Sequence, residues 1–151
     1  MCVRKTLIPL AVAASLLALP AAPAAAAPTS CTFDGVTMNT SPGSWSATGG
    51  ATCVENDNGT PRVVTGTLAM GGTYTSTACG TARFAGSFSM SGISGDVVLD
   101  FTAGAGTVTM TSAEQGTGRG PARWTPSAGA CLTGAPDSGA LGATVVFPGA
   151  R

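Results

Sequence analysis

A short phrase recurs three times in the middle of the chain and constrains the fold more than any other feature. Its copies are Gly-Thr-Leu-Ala-Met at residues 66–70, Gly-Ser-Phe-Ser-Met at 86–90 and Gly-Thr-Val-Thr-Met at 106–110, with a step of 20 residues. Each copy alternates apolar residues with Thr, Ser or Ala, which is typical of a β-strand that buries one face. At a spacing of about 8 to 12 residues per strand, one step holds two strands and two turns. The repeat therefore predicts every second strand of an antiparallel meander.

The sequence around the repeat divides into short strands separated by turn residues. The predicted strands cover residues 31–38, 44–54, 62–70, 73–79, 82–91, 96–103, 104–112, 122–125 and 142–147. The residues expected to face inward are Leu68, Met70, Tyr74, Phe84, Phe88, Met90, Val97, Leu99, Phe101, Val108 and Met110. We therefore predict an all-β fold in which an antiparallel meander of about 8 to 9 strands closes as a small barrel, with a β-sandwich as the alternative.

Glycine, proline and polar residues predict where the meander turns. Gly71 and Gly72 form a predicted turn between two strands, and Gly49 with Gly50 predicts a bulge or bend. Residues 55–61 are expected to form a polar surface turn. The glycine-rich residues 114–120 are expected to form a flexible loop, and residues 127–141 a long connection to the last strand.

The first 26 residues have the pattern of a secretory signal peptide. Arg4 and Lys5 precede an apolar stretch at residues 7–19, and alanines at 24–26 provide a small-residue cleavage site. The apolar stretch is shorter than the ~20 residues that span a bilayer. We therefore expect residues 1–26 to be removed and residues 27–151 to form a single β domain that is secreted and extracellular.

Four cysteines remain once Cys2 is removed with the signal, an even number in an exported chain. Two disulfides are the natural expectation. Of the three possible pairings we favour Cys31 with Cys53 and Cys79 with Cys131. The first pair would close the first hairpin, and the second would tie the long C-terminal connection to the meander. No spacing of cysteines or histidines supports a zinc site, and we expect neither a metal nor a cofactor.

The residues that are missing exclude most catalytic chemistry. The chain has no histidine, and Lys5, its one lysine, lies in the predicted signal. Nucleophile systems that depend on histidine or lysine are therefore excluded, and so is Schiff-base chemistry. Loss of Arg4 and Lys5 would leave five arginines against seven acidic residues, so no basic surface favours nucleic acid or an anionic membrane.

Three aromatic residues are the best candidates for ligand contact. Trp45, Tyr74 and Trp124 carry rings that can stack on sugars or fill an interface pocket, and Trp124 follows an arginine in a segment that resembles a loop. The alternative for the two tryptophans is core packing, since tryptophan is mostly buried on average.

The leading functional hypothesis is a non-catalytic secreted binding module. The sequence has a regular pattern of core residues but lacks most of the residue types that catalysis uses. Its partner would be an unknown small molecule, a glycan or an extracellular protein. A deep apolar pocket lined by Met70, Phe88 or Met110 would favour a small molecule. A convex loop around Cys131 would favour the alternative function, inhibition of an extracellular hydrolase.

Two weaker ideas come from polar residues at alternate positions. Asp96 and Asp100 share one strand face about 13 Å apart at Cα, and they are the best carboxylate pair for a hydrolase, our third hypothesis. Thr73, Thr75 and Thr77 could form, with the threonines at 107, 109 and 111, a hydroxyl array that binds ice or a polysaccharide. In both cases exposed strand residues that simply face water are the simpler interpretation.

Overall fold

A computed structural model describes residues 29–57, 59–78, 80–127 and 137–149, which form an antiparallel β-barrel. Its strands are β1 (Thr29–Ser41), β2 (Ser44–Asp57), β3 (Thr60–Ala78), β4 (Thr81–Met90), β5 (Ile93–Thr102), β6 (Ala105–Ser112), β7 (Gly116–Pro126) and β8 (Asp137–Phe147). Each strand pairs with the next, and β8 pairs with β1 to close the barrel. The predicted all-β barrel is confirmed, whereas the predicted signal peptide at 1–26 lies outside the described residues.

The barrel interior is filled by the apolar face of the strands. Every residue predicted to face inward is buried except Tyr74, which is half-buried. Phe33, Leu141 and Phe147 add further large side chains that are at most 1% exposed. An eight-stranded barrel is just wide enough for side chains to fill, so this lumen is a packed core and not a channel.

The repeated phrase is distributed differently from the prediction. Its first two copies lie on the neighbouring strands β3 and β4, where Met70 pairs with Phe88, and the third lies on β6. The predicted turn at Gly71 and Gly72 is wrong, because β3 runs through both residues. A Cβ atom on Gly72 would lie 2.6 Å from the Cα of its partner Gly86, so this glycine allows two strands to approach closely.

Three other predicted boundaries are also wrong. Strand β7 begins at Gly116, inside the predicted flexible loop at 114–120. Strand β8 begins at Asp137, so the connection before it is shorter than predicted. Residues 55–57 and 60–61 belong to strands β2 and β3, which extend into the predicted polar turn. Cross-strand pairing supplied by the neighbouring strands has overridden weak local strand propensity in each case.

The bulge lies on β1, opposite the glycines that were predicted to form it. The register of β1 against β2 shifts between Thr32 and Thr37, while Gly49 and Gly50 lie on the facing stretch of β2. Gly35 takes a φ of +64° in this bulge, a conformation that favours glycine.

One predicted disulfide is present in the described part of the barrel. Cys31 and Cys53 are direct cross-strand partners on β1 and β2, and their sulfur atoms are bonded. The prediction that this bond closes the first hairpin is therefore confirmed. Cys79 and Cys131, the second predicted pair, lie outside the described residues.

The hydroxyl-bearing face forms the outer wall of the barrel, as the alternation predicts. The two threonine ladders do not combine into one array, however, because β3 and β6 are separated by β4 and β5. On β6 the exposed Thr107 and Thr111 pair with Asp100 and Asp96 of β5. The idea of a continuous threonine surface across these two ladders is therefore wrong.

Candidate functional site

Five of the eight aromatic side chains gather at one end of the barrel, which we call the aromatic end. The connections β1–β2, β3–β4, β5–β6 and β7–β8 all lie at this end, because the strands alternate in direction. The rings in contact there belong to Trp45, Tyr74, Phe84, Phe101 and Trp124. The three aromatic residues singled out from the sequence are therefore brought together, although they come from β2, β3 and β7.

Phe84 lies at the centre of this cluster. Its ring centroid is 5.6 Å from that of Trp45, 5.3 Å from that of Tyr74 and 5.3 Å from that of Trp124. The contacts with both tryptophans are edge-to-face, with interplanar angles of 72° and 77°. Such pairs contribute about 0.5 to 1.5 kcal/mol each beyond the area that they bury. Ring packing therefore holds this end of the barrel rigid.

Trp45 has the environment of a core residue. Its side chain is 4% exposed, and its indole Nε1–H donates a hydrogen bond to the backbone carbonyl of Ala85 at 3.2 Å. Ala85 lies on β4, two strands away from β2, so this bond spans the strand between them. The polar atom of this buried ring is satisfied inside the protein. Tyr74 is half-buried and packs against Phe84.

Trp124 is equally buried but lacks a hydrogen-bond partner. It is 5% exposed, and its Nε1 atom is buried without an acceptor among the residues that the structure describes. Leaving a buried donor unpaired costs about 1 to 3 kcal/mol, so each such group in a native fold requires an explanation. The unpaired indole of Trp124 is the most informative polar group at the aromatic end.

A shallow groove lies directly beside this tryptophan. It is lined by residues 103–105 and 123–126, has a volume of about 360 Å³, and is called the Trp124 groove below. One wall is the β5–β6 turn, in which Ala103 and Gly104 have φ values of +52° and +80°. The backbone N–H of Trp124 donates to the carbonyl of Gly104 at 2.8 Å, which fixes the turn against β7. Its volume falls within the range of about 300 to 1,000 Å³ that is usual for small-molecule sites.

A second groove adjoins the first. It is lined by Thr75 and by residues 81–83, 100–102, 105 and 106, has a volume of about 400 Å³, and is called the Arg83 groove below. Arg83 Nη1 donates to both carboxylate oxygens of Asp100 at 3.0 Å, and the two side chains are 59% and 47% exposed. Ala105 lines both grooves, so they meet at the start of β6.

The sequence pointed to Asp100 as a candidate residue but not to its partner Arg83. Arg83 and Asp100 both point outward, and they face each other because β4 and β5 pair in that register. The outward position was predictable from the alternation, whereas the partner depends on register. Asp96, the other member of the proposed catalytic pair, is exposed on the same strand and pairs with Ser87 and Thr111.

The residues expected to line an internal pocket are part of the packed core. Met70, Phe88 and Met110 are 5%, 3% and 0% exposed. They contribute to the filled lumen and do not open to solvent, so the described barrel has no deep apolar pocket at these positions.

The opposite end of the barrel carries two other features. A groove of about 410 Å³ is lined in part by Val54 and Val146, which are 40% and 51% exposed. The hydroxyl of Ser112, the last residue of β6, donates to the carboxylate of Glu114 in the β6–β7 connection at 2.6 Å. The pKa of the Glu114 carboxyl is held below its ordinary value of 4.5. The hydrogen bond from Ser112 is the larger cause, and a hydrogen bond from the Glu114 backbone is the next.

Metal-binding chemistry and similarity to known proteins give no further guidance. Within the described ranges, no group of three or more His, Cys, Asp or Glu side chains could hold a metal ion. The same residues include no helix long and apolar enough to cross a membrane. Comparison with protein-family models, curated proteins and solved structures found no match. Function is therefore inferred from the geometry of the aromatic end alone.

Proposed function

We propose that this protein is an exported, non-catalytic binding module that takes its ligand in the Trp124 groove. The observation that carries the proposal is the buried Trp124 indole N–H, which has no acceptor within the described structure and belongs to a residue that lines a groove of about 360 Å³. A ligand oxygen that accepts from this donor, after a small adjustment of the ring, would remove an unpaired group that costs about 1 to 3 kcal/mol.

Because core side chains fill the lumen, a site on the surface of the barrel is favoured over an internal site. The β-barrel binds by acting as a rigid frame, and the ligand occupies the groove between the β5–β6 turn and the end of β7. Ring packing around Phe84 holds Trp124 in place before a ligand arrives, so little conformational entropy is lost on binding. Arg123 is exposed beside the groove and provides a cationic donor for the same ligand.

Export is part of the proposal and is supported by the signal-like sequence at residues 1–26. The Cys31–Cys53 disulfide is compatible with an oxidising compartment. We expect Cys79 and Cys131 to form a second disulfide, because the connections that contain them leave the same end of the barrel. Peptide mapping of the secreted, non-reduced protein by mass spectrometry tests this pairing. A free thiol at either residue, or a different pairing, would contradict it.

The binding test uses the two tryptophans of the chain as paired reporters. Protein labelled with ¹⁵N in the indole ring gives one N–H signal from each, and the Trp45→Phe variant assigns them. The probes are cellohexaose and chitohexaose as glycans, palmitate as an apolar small molecule, and two extracellular hydrolases, a serine protease and an α-amylase.

We expect one class of probe to move the Trp124 signal downfield, as a new hydrogen bond requires, and to leave the Trp45 signal in place because its acceptor is internal. Arg123→Ala should weaken that response without changing the melting temperature, since its side chain is exposed. If no probe moves the Trp124 signal, or if both signals move together, the proposal is wrong. A response to a hydrolase with inhibition of its activity would favour the inhibitor function.

A further inference from the structure

The two adjoining grooves at the aromatic end differ in chemistry. The Trp124 groove has a ring and a cation, whereas the Arg83 groove has a neutral ion pair surrounded by hydroxyl groups. Thr75, Thr81 and Thr102 line it together with the pair. Both grooves are lined in part by small residues, which are Ala82, Ala103, Gly104, Ala105 and Gly106.

The Arg83–Asp100 pair has unused hydrogen-bonding capacity. In the described contacts, Arg83 uses Nη1 for both oxygens of Asp100, and no protein partner engages its Nη2 or Nε. A guanidinium carries five N–H donors, and a carboxylate has about four acceptor positions. Both groups are about half exposed, so these donors and acceptors stand next to each other at the surface of the groove.

Adjacent donors and acceptors match the chemistry of sugar hydroxyl groups, each of which donates and accepts. A pair of neighbouring hydroxyls on one ring can accept from Arg83 while donating to Asp100. The charges of the pair cancel locally, which favours a neutral ligand over an acidic or basic one. Small residues among those that line the grooves allow a ring to approach the backbone more closely than large side chains would.

The length of the combined surface favours a chain of sugars over a single one. From Thr75 on β3 to Arg123 on β7 it crosses five adjacent strands, which at the usual spacing between strands is about 19 Å around the wall. Ala105 lines both grooves, so they are neighbours on the barrel surface at the start of β6.

We propose that the Arg83 groove is a second subsite, continuous with the Trp124 groove, and that together they bind a linear neutral oligosaccharide. This inference rests on the proposed function and names its ligand class. Sugar hydroxyls bridge Arg83 and Asp100 in one subsite. In the other, the chain lies over the Trp124 groove and supplies the acceptor for the indole N–H.

The test measures binding of cellohexaose, chitohexaose and laminarihexaose, and of the matching disaccharides, by calorimetry and by the indole signals. We expect a hexasaccharide to bind at least tenfold more tightly than its disaccharide. We also expect Arg83→Ala and Asp100→Asn each to weaken hexasaccharide binding about tenfold or more, as loss of hydrogen bonds to charged groups does. Because the ligand is neutral, the dissociation constant should not change between low and high salt.

Arg119→Ala and Asp96→Asn are the matched controls, because both residues are exposed on the same outer wall and line neither groove. All four variants should melt close to the wild type, since an exposed ion pair contributes little to stability. Hexasaccharide binding that Arg83→Ala weakens no more than Arg119→Ala would overturn the second subsite and leave the proposed function standing.

The two proposals fail in distinguishable ways. If palmitate or a hydrolase moves the Trp124 signal and no neutral hexasaccharide does, the oligosaccharide inference is wrong and the binding function survives. Strong weakening by salt would indicate an acidic ligand held by Arg123 and would also overturn the inference. If no probe of any class moves the signal, both proposals are wrong.

Discussion

Substituting alanine for each of three glycines in the β2–β3 hairpin tests how closely the strands of the barrel wall pack. An alanine at Gly72 would place its Cβ 2.6 Å from the Cα of Gly86 and closer still to the carbonyl oxygen of Ala85. At Gly71 the nearest atom would be the carbonyl oxygen of Trp45 at 3.2 Å, and at Gly50 nothing lies within 4 Å. Real Cβ atoms essentially never approach backbone as closely as the first case requires.

These distances give an expected order of stability. Gly72→Ala forces β3 away from β4 and should destabilise the fold by about 2 to 3 kcal/mol, the usual cost of overpacking. Gly50→Ala meets no neighbour and should stabilise it by up to about 1 kcal/mol, because alanine restricts the unfolded chain. Gly71→Ala should fall between them, since its neighbour has to move by only a few tenths of an ångström.

Thermal unfolding followed by circular dichroism, with disulfides intact, measures the series. A loss of 1 kcal/mol lowers the melting temperature of a domain of this size by roughly 3 to 6 °C, so Gly72→Ala should melt about 6 to 18 °C below the wild type. Gly86→Ala faces the same contact from β4 and provides an independent repeat. If Gly72→Ala melted within about 2 °C of Gly50→Ala, the close approach of β3 and β4 would be refuted.

Three further predictions concern a turn, a disulfide and a carboxyl group. Ala103 has a φ of +52° in a two-residue turn that favours Asn or Gly, so Ala103→Asn should raise the free energy of unfolding by about 1 kcal/mol in a urea titration; an unchanged or lower value would contradict this. Replacing both Cys31 and Cys53 by serine should cost about 3 kcal/mol in the same assay, from the entropy of a loop with a sequence separation of 22; a loss below about 1 kcal/mol would show that the bond constrains little. The lowered pKa of Glu114 means that its contribution to stability is fully present above pH 4.5 and is lost as the pH falls through the folded-state value. Carboxyl NMR titration should show that Ser112→Ala returns this pKa towards 4.5, and no change on substitution would rule out the serine hydroxyl as the cause.

The inner face of the barrel could be predicted from the sequence because burial in a strand requires strict alternation. Met90, Val97 and Leu99 sit where the period places them, and each is at most 1% exposed. The turn predicted at Gly71 and Gly72 failed for a definite reason. A glycine pair is compatible with a turn and with close approach to a partner strand, and only the position of β4 decides between them.

The candidate site could be predicted only in part. The sequence pointed to Trp45, Tyr74 and Trp124 as aromatic residues, but it could not show that one indole has an acceptor and that the other has none among the described residues. Trp45 finds the carbonyl of Ala85, which lies 40 residues away in sequence. Whether Trp124 finds a similar acceptor depends on which backbone atoms the fold presents to it, and no local pattern records that.

The distribution of constraints along the barrel gives a reason why a ligand would bind at the aromatic end. The Cys31–Cys53 bond and the hydrogen bond between Thr29 and Gln115 lie at the opposite end, where they fix the start of β1. At the aromatic end, rings around Phe84 supply rigidity through packing. A donor without an acceptor among the described residues, such as the Trp124 indole, is tolerated where packing already stabilises the surroundings. Rigidity and unused hydrogen-bonding capacity therefore occur at the same end of the barrel, which is the combination that a preorganised binding site needs.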